Sequence, residues 1–555
     1  MTLLARQALA RLLGLPRAKN TVTVQRDLPI TMSDGLVLVG DLYSPNSQGD
    51  FPTILIRSTW GRGWDKAPFS LLYRFIAQRF AEQGFHVFLQ DTHQRLPSSD
   101  DHPMPHSFEA RDGKDTLRWI ARQPWFNGRL GMWGASYLGY VQWAAVLGNA
   151  VPDFRALAVV PVTIATRWST VLYPDGAFAL DTAFRLQYLL AVSQLPFHKM
   201  LVRLMKQESV IACAISHLPL SEAARLLPLA RGSGLDALGQ HTDVDGHFWH
   251  AVDFREQLAN NPARVHLIAG WYDLFLREQL DDYLALKRAG QDPCLTIGPW
   301  HHTDPRLAIY SLREARVWFD AHLRGETAKL RYAPVRIFLM GADQWRELDA
   351  WPPESQSVVF YLHPLEALSR TSPGDDLPPD EYVYDPADPT PSIGGAVINP
   401  RPGRQDNRTL EARRDVLCYT SPLLGEDLEI IGAPLLTLFV HSSSAHTDYF
   451  GRLCAVDPNG LSRNVTDGLL RVEPGVGARR EDGVLKIEIP LWPTAFRFKK
   501  GQRIRLQVSS GAHARWSRNL GTGEPAHTAT RLLASHNAIY HDRERASALL
   551  LPSVP

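Results

Sequence analysis

Residues 131–139 read Gly-Met-Trp-Gly-Ala-Ser-Tyr-Leu-Gly and stand between a strand candidate, Leu130–Trp133, and a helix candidate, Tyr137–Leu147. A serine at such a strand-to-helix turn is held in strained backbone geometry, and its hydroxyl is presented above the sheet. Two small residues before the serine leave room for the bend, so the stretch predicts a nucleophile elbow with Ser136 as the nucleophile. The pattern departs from G-x-S-x-G because the second glycine comes one residue late. An ordinary tight turn is the alternative interpretation.

Strand and helix patterns alternate on both sides of this turn, between residues 21 and 161. Such alternation is typical of a mainly parallel sheet that is covered by helices on both faces. We therefore predict that residues 21–161 form the first part of an α/β core. The strand candidates are Thr53–Ile56, Val87–Gln90, Leu130–Trp133 and Leu157–Val160, and the helix candidates are Leu71–Glu82, Arg111–Arg122 and Tyr137–Leu147.

The region 162–252 has a different pattern. Its Leu-rich and Ala-rich stretches are helical in spacing and carry few strand signals, which predicts an inserted helical cap. Strand-like runs return at His266–Ala269 and Cys294–Ile297. The α/β core is therefore predicted to resume over residues 253–327, which makes it discontinuous in sequence.

Residues 333–555 are predicted to form an all-β domain. The run 503–508 alternates Arg, Ile, Arg, Leu, Gln and Val, which is typical of a half-buried strand. Several short strands separated by turn signals favour a sandwich or a jelly roll. The stretch Thr371–Asn407 is dense in Pro, Gly and Asp, and we predict either an ordered loop that wraps around the domain or a flexible excursion.

Length and charge exclude several classes of protein. At roughly 100 to 200 residues per domain, 555 residues correspond to about three domains, which excludes a peptide hormone or a small disulfide scaffold. The 59 Lys and Arg residues balance the 58 Asp and Glu residues, so bulk charge does not attract nucleic acid or an anionic membrane. The sequence leaves the oligomeric state open, and a homo-oligomer is compatible with it.

The N-terminal extension, residues 1–20, is predicted to be a short amphipathic helix. Arg6 and Arg11 interrupt its apolar run, so a secretory signal is not expected, and binding to a membrane surface is the alternative. No stretch of about 20 apolar residues predicts a membrane span. The four cysteines are scattered without a C-x-x-C pair, which favours a reducing compartment and hence the cytoplasm.

A serine nucleophile needs a base to take its proton and an acid to orient that base. In this type of fold the acid and then the base follow the nucleophile in sequence, each after a strand. Asp273 ends the segment His-Leu-Ile-Ala-Gly-Trp-Tyr-Asp directly after a strand-like run, and it is the best acid candidate. His301 and His302 follow the next strand-like run, and from position alone either of them is a plausible base.

Longer stretches connect these residues to a known family. They include DGLVLVGDLYSP (34–45), ARDGKDTLRWIARQPWFNGRLGMWGASYLG (110–139), GWYD (270–273), IGPWHH (297–302), VWFDAHLRG (317–325), TDYFGRLCAVDPNG (447–460), PLWPTAFRFKKGQRIRLQVSS (490–510) and RNLGTGE (518–524). In these stretches the chain resembles the family of α/β-hydrolase serine hydrolases that contains cocaine esterases, X-prolyl dipeptidyl peptidases and α-amino acid ester hydrolases. The resemblance implies an α/β-hydrolase core with an inserted helical cap, a C-terminal β jelly roll, and an active site where the three meet.

The resemblance also implies a role for individual residues. Ser136 matches the nucleophile, Asp273 matches the acid, and His302 matches the base because the family's histidine follows Trp after one intervening residue. The backbone N–H of Tyr137 is then expected to be one donor of the oxyanion hole. Relatives usually supply the second donor from a tyrosine hydroxyl, whereas this chain has Trp60 there, so Trp60 is either a donor through its indole N–H or a wall of the pocket.

The residues after Asp273 bear on the substrate. Amino-ester relatives carry acidic side chains there to hold a substrate ammonium, whereas this chain has Leu274, Phe275 and Leu276. We therefore predict a small-molecule ester or amide substrate with a neutral, hydrophobic acyl group, and Phe275 as a pocket wall. A carboxylate of the cap, Asp175 or Asp181, is the alternative partner for a substrate ammonium. A dipeptidyl peptidase or amino-ester hydrolase activity therefore stays open as the alternative function.

Two other classes of function remain as alternatives. One is a non-catalytic protein whose jelly roll binds carbohydrate, and the replacement of tyrosine by Trp60 favours it. The other is a metalloenzyme that uses His301, His302 and Asp304, or the histidine and aspartate cluster of residues 241–250. Adjacent histidines diverge on most backbones, and neither group has a recognised ligand spacing, so no metal and no cofactor are predicted.

Overall fold

The computed structural model describes residues 10–63, 69–92, 107–148, 151–193, 195–227 and 235–554. The first nine residues of the predicted N-terminal helix lie outside these ranges. In chain order the helices are α1 Phe69–Glu82, α2 Glu109–Ala121, α3 Tyr137–Leu147, α4 Trp168–Leu172, α5 Leu180–Ser193, α6 Phe197–Met205, α7 Gln207–Ser216, α8 Leu220–Ala223, α9 Leu235–Gln240, α10 Leu276–Arg288, α11 Pro305–Arg324 and α12 Arg408–Glu411.

A ten-stranded sheet forms the centre of the first domain. Its strands are β1 Val22–Thr31, β2 Val37–Pro45, β3 Thr53–Ser58, β4 His86–Asp91, β5 Arg129–Ala135, β6 Ala156–Val162, β7 Arg264–Tyr272, β8 Cys294–His301, β9 Val335–Leu339 and β10 Gln344–Leu348. They lie in the order β1-β2-β4-β3-β5-β6-β7-β8-β9-β10. The strands from β4 to β9 in this order run parallel, and β1, β2 and β10 pair antiparallel with their neighbours. This arrangement confirms the predicted α/β core.

Both faces of this sheet are buried. Leu55 joins one apolar cluster and its neighbours Ile54 and Ile56 join the other, because successive side chains of a strand point to opposite faces. The cluster that contains Leu55 continues through α3 and the cap helices into the C-terminal domain. The cap helices α4 to α9 lie between β6 and β7 in sequence. One continuous apolar core therefore joins the three parts of the chain.

The C-terminal domain is a β jelly roll, as predicted, but it begins later than the predicted residue 333. Residues 335–348 form β9 and β10 of the first sheet instead, because β9 pairs with β8. Its strands are β11 Gln356–His363, β12 Ala367–Ser369, β13 Asp380–Tyr384, β14 Leu417–Thr420, β15 Leu428–Gly432, β16 Leu435–Ser442, β17 Thr447–Val456, β18 Ser462–Val472, β19 Ala478–Arg479, β20 Leu485–Pro490, β21 Thr494–Phe498, β22 Arg503–Ser509, β23 Ser535–Tyr540 and β24 Ala548–Ser553. The segment 371–407 is an ordered loop that contains β13 and packs against the core, where Gly403 faces the ring of Tyr272.

One strand is buried more deeply than its alternation predicts. In β22 the polar residue Gln507 is 1% exposed, although it lies on the side that we expected to face solvent. Strands β14 and β17 pair with β22 on its two edges, and Glu411 of α12 accepts a hydrogen bond from the Gln507 amide at 2.9 Å. A short helix therefore covers this face, and a period-two pattern alone does not reveal such a cover.

Helix α11 has clear start and stop signals in the sequence. The carboxylate of Asp304 accepts the backbone N–H of Arg306 at 2.9 Å, Pro305 occupies the first helical position, and Gly325 ends the helix with φ of 78°. A cap of this kind contributes about 1 kcal/mol, and proline costs nothing at the first turn. The helix start fixes the backbone just after His302. The side chain of His302 points towards Ser136, which follows β5.

Across the described ranges, no helix combines the length and the apolar character that crossing a bilayer requires.

Candidate active site

Ser136 lies at the turn between β5 and α3 with φ of 55° and ψ of −125°. This left-handed backbone is costly for a residue with a side chain, so the surrounding packing must enforce it. A Cβ at Gly134 would lie 2.4 Å from the Cβ of Leu138, and a Cβ at Gly139 would lie 2.4 Å from Ile164. Glycine is therefore required at both positions for the helix to start this close to the sheet. The turn is the sharp elbow that the sequence predicts.

The structure brings Ser136, His302 and Asp273 together in one chain of contacts. The Ser136 Oγ lies 3.0 Å from Nε2 of His302, and Nδ1 of the same ring lies 2.8 Å from Oδ2 of Asp273. The second carboxylate oxygen of Asp273 accepts the backbone N–H of Phe275 at 2.8 Å. Such an arrangement can take a proton from the serine hydroxyl and stabilise the resulting imidazolium.

These three residues stand at the carboxyl ends of the parallel strands β5, β7 and β8. The pairing of β7 with β8 is irregular between Gly270 and Tyr272, and a Cβ at Gly270 would lie 2.4 Å from the carbonyl oxygen of Trp300. The glycine of the Gly-Trp-Tyr-Asp motif thus lets the two strand ends approach closely. This close approach sets the distance between Asp273 and His302.

His301 and His302 diverge, and they have different partners. The ring of His301 lies beside the Thr303 hydroxyl, with 3.2 Å between its Nδ1 and the Oγ1, and burial lowers its pKa. His302 alone of the two bonds to both Ser136 and Asp273. The geometry distinguishes two residues that position along the chain left equivalent.

One aromatic ring lies against His302, and a stacked aromatic pair follows β3. The ring of Phe275 is 1% exposed and lies 5.6 Å from the His302 ring and 5.4 Å from the Trp168 ring of the cap, measured between centroids. Trp60 follows β3, is half-buried, and stacks on Phe69 at 4.4 Å with 29° between the ring planes. Phe275 thus lies against the His302 ring, and the Phe69 ring fixes the plane of the Trp60 indole.

A buried polar group that sequence reasoning missed lies beneath the elbow. The Tyr137 hydroxyl donates to Oε1 of Glu109 at 2.5 Å, and Oε2 of Glu109 lies 2.8 Å from Nη1 of Arg57. Both charged side chains are completely buried. Burial raises the pKa of Glu109 despite the opposing effect of Arg57, and burial together with Glu109 raises the pKa of the Tyr137 hydroxyl. The arginine inside the apolar strand β3 was the available signal, but its partner Glu109 is far away in sequence.

The two carboxylates of the cap that were considered for an ammonium site both pair with arginines. Asp175 forms a two-pronged ion pair with Arg277, in which one N–O distance is 2.9 Å. Oδ1 of Asp181, which is 4% exposed, accepts a hydrogen bond from Nε of Arg185 at 2.7 Å. Each carboxylate therefore already has an arginine partner within the protein, although Arg185 also pairs with Glu208.

The structure also bears on the metal alternative. Within the described part of the chain, no three His, Cys, Asp or Glu side chains come together in a way that could hold a metal ion. In the cluster 241–250, the ring of His241 instead stacks on Phe248 at 3.9 Å.

Comparison with known families identifies both halves of the chain. The family described as "X-Pro dipeptidyl-peptidase (S15 family)" matches residues 34–304. The domain described as "X-Pro dipeptidyl-peptidase C-terminal non-catalytic domain" matches residues 328–550. The two matches divide the chain between residues 304 and 328, so that β9 and β10 of the first sheet fall inside the second match.

Individual relatives extend over nearly the whole chain. The cocaine esterase of Rhodococcus sp. (strain MB1 Bresler) is 31% identical over 582 aligned positions, which cover 96% of this chain and 99% of that protein. An α-amino acid ester hydrolase structure matches with a TM-score of 0.78 at 22% identity and covers 98% of both chains. An aminopeptidase structure from a marine sediment archaeon, Thaumarchaeota archaeon, matches with a TM-score of 0.77 at 20% identity, over 97% of this chain and 98% of that one. The two structures support the overall fold.

Proposed function

Because the chain belongs to the serine hydrolase family that contains cocaine esterase and the X-Pro dipeptidyl-peptidases, we propose that it cleaves small-molecule esters through an acyl-enzyme on Ser136. Membership of this family makes the protein an enzyme that hydrolyses ester or amide bonds. It also speaks against the alternative of a non-catalytic protein that binds carbohydrate. The observation that carries the residue assignment is the pair of hydrogen bonds that joins Ser136, His302 and Asp273.

In the proposed mechanism His302 takes the proton of Ser136 as the serine oxygen attacks the ester carbonyl. Asp273 accepts a hydrogen bond from the Nδ1–H of His302, which fixes the tautomer and stabilises the imidazolium. His302 then gives its proton to the departing alcohol, and the acyl group stays on Ser136. Water attacks this acyl-enzyme with His302 again acting as the base, which releases the acid and restores Ser136.

The oxyanion of the tetrahedral intermediate needs donors near the elbow. We assign the first donor to the backbone N–H of Tyr137, the first residue of α3, where the helix dipole also favours negative charge. We assign the second donor to the indole N–H of Trp60, which follows β3 at the same edge of the sheet. The stack on Phe69 supports this assignment because it limits the rotation of the indole.

Replacing Trp60 with phenylalanine tests the second donor. The variant keeps an aromatic surface and loses the N–H, so we expect kcat for a p-nitrophenyl ester to fall roughly tenfold to hundredfold with little change in KM. Trp119→Phe is the matched control, since Trp119 of α2 is also half-buried but packs against Phe88 of β4. A Trp60→Phe enzyme with the kcat of the control would assign Trp60 to the pocket wall instead.

The acyl group is proposed to be neutral and hydrophobic. Leu274, Phe275 and Leu276 are all buried, and Phe275 contacts the base. A substrate ammonium bound here would need an unpaired carboxylate, because a desolvated cation without a partner is costly. The ion pairs of Asp175 and Asp181 with arginines argue against either of them in that role.

A comparison of substrates tests this preference. We expect turnover of p-nitrophenyl esters, with Ser136→Ala as the blank, and no turnover of a Gly-Pro p-nitroanilide. Each CH₂ added to the acyl chain is expected to raise kcat/KM by roughly fourfold until the pocket is full, because burying a methylene contributes about 0.8 kcal/mol. Cleavage of the anilide would instead indicate an ammonium site and a dipeptidyl peptidase or amino-ester hydrolase activity.

A further inference from the structure

We propose that the side chains of Tyr137, Glu109 and Arg57 act together as a positioning device for the oxyanion hole. The inference rests on the proposed function, since it assumes that the N–H of Tyr137 stabilises the oxyanion. None of the three side chains is assigned a contact with the substrate. Their role is to hold two segments of backbone at a fixed separation.

The contacts form one buried chain. Tyr137 donates its hydroxyl to Glu109 at 2.5 Å, and Glu109 pairs with Nη1 of Arg57 at 2.8 Å. The Nε of Arg57 donates to Oε1 of Gln90 at 2.9 Å, and Nε2 of Gln90 donates to Thr116 at 2.9 Å. The chain thus links the start of α3 with strands β3 and β4 and with helix α2.

Two members of this chain, Tyr137 and Arg57, are each at or near a proposed oxyanion donor in sequence. Tyr137 is the residue after the nucleophile, and its own backbone N–H is the first donor. Arg57 belongs to β3 and precedes Trp60, the second proposed donor, by three residues. A rigid connection between Tyr137 and Arg57 therefore fixes the distance between the two donors.

Stability alone is a weak explanation for this ion pair. Taking a carboxylate and a guanidinium out of water is expensive, and apolar residues of the same volume are often as stable or more stable. Both Arg57 and Glu109 are nevertheless completely buried at this position. Oxyanion donors, by contrast, must be placed to within a few tenths of an ångström, and a displacement of about 1 Å can cost roughly a hundredfold in rate.

The test compares Tyr137→Phe with Tyr140→Phe. Both tyrosines are on α3, and each substitution removes one hydroxyl; that of Tyr140 donates to the carbonyl of Val252 at 3.3 Å. Substituting Glu109 or Arg57 would leave an unpaired buried charge and endanger folding, so the tyrosine variant is the sharper probe. The measurements are kcat and KM for a p-nitrophenyl ester, the inhibition constant of phenylboronic acid, and Tm.

We expect Tyr137→Phe to lower kcat about tenfold or more with little change in KM, because only transition-state binding is weakened. Phenylboronic acid becomes a tetrahedral anion when a serine oxygen adds to it, so its inhibition constant should rise by a similar factor. Tyr140→Phe should leave all three constants near those of the wild type.

Two outcomes would overturn the inference in distinguishable ways. If Tyr137→Phe matches Tyr140→Phe in kcat and in boronate inhibition, with any change confined to Tm, the network is structural and the proposed function stands. If the wild-type enzyme hydrolyses none of the esters and phenylboronic acid does not bind, the proposed function fails and this inference fails with it.

Discussion

Ser136→Ala is expected to reduce ester hydrolysis by roughly 10⁴-fold to 10⁶-fold while the fold stays intact. Without the hydroxyl no acyl-enzyme can form, and the remaining groups can only orient and polarise the substrate. The substitution preserves the backbone, because alanine and serine have similar access to the left-handed φ of 55° at this turn. The measurement is kcat/KM for a p-nitrophenyl ester, together with labelling by a fluorophosphonate that reacts with activated serines.

Ser311→Ala is the matched control for this variant. Ser311 is completely buried on α11 and donates to the carbonyl of Ala308 at 3.0 Å, within its own helix. The control should keep wild-type activity and wild-type labelling. Turnover by Ser136→Ala at the wild-type rate, with both variants folded by circular dichroism, would remove Ser136 from the mechanism.

His302→Ala is expected to lower kcat by roughly 10⁴-fold or more, whereas His301→Ala should stay within a few-fold of the wild type. The adjacent histidine is a close control because it differs in its contacts and not in its chemistry. The side chain of His302 bridges Ser136 and Asp273, whereas that of His301 meets Thr303. The comparison uses the same ester and the same labelling reagent.

Removal of His302 takes a hydrogen-bond donor away from the buried Asp273, so the fold of this variant needs its own check. Circular dichroism and Tm, measured beside His301→Ala, separate a lost base from a lost structure. A folded His302→Ala enzyme with full activity, together with an inactive His301→Ala enzyme, would assign the base to His301.

Much of the framework of this site could be predicted from local sequence. The apolar run of β5, the small residues before Ser136 and the helical pattern after it already define the elbow. The positions of Asp273 and the histidine pair follow from two further strand ends in the same parallel sheet. These features are local, because a strand end and the loop after it occupy only a few adjacent residues.

The choice between His301 and His302 required the structure or the family resemblance. Side chains alternate along a strand, but the pairing of β7 with β8 shifts between Gly270 and Tyr272. A count of alternating residues from the start of β8 does not show where such a shift falls. The direction of each histidine therefore depends on a contact between strands, which the local pattern does not contain.

The network of Tyr137, Glu109 and Arg57 was beyond sequence reasoning for a related reason. Its members come from α3, α2 and β3, and Glu109 contacts both of the others. The hydroxyl belongs to Tyr137, which we singled out only for its backbone N–H. Glu109 begins an amphipathic helix, where an acidic residue is common for reasons unconnected with catalysis. Only the three-dimensional packing shows that its carboxylate points inwards.

The glycine three residues after Ser136 has a consequence for how such enzymes are recognised. What the elbow requires is an absent side chain at the place where α3 passes Ile164, and Gly139 provides it from one position later than the usual motif. A search for the five-letter pattern G-x-S-x-G would pass over this chain. A search that accepts the second glycine at two or at three residues after the serine would retain it, because the cleared space beside the sheet matters and not the count of residues.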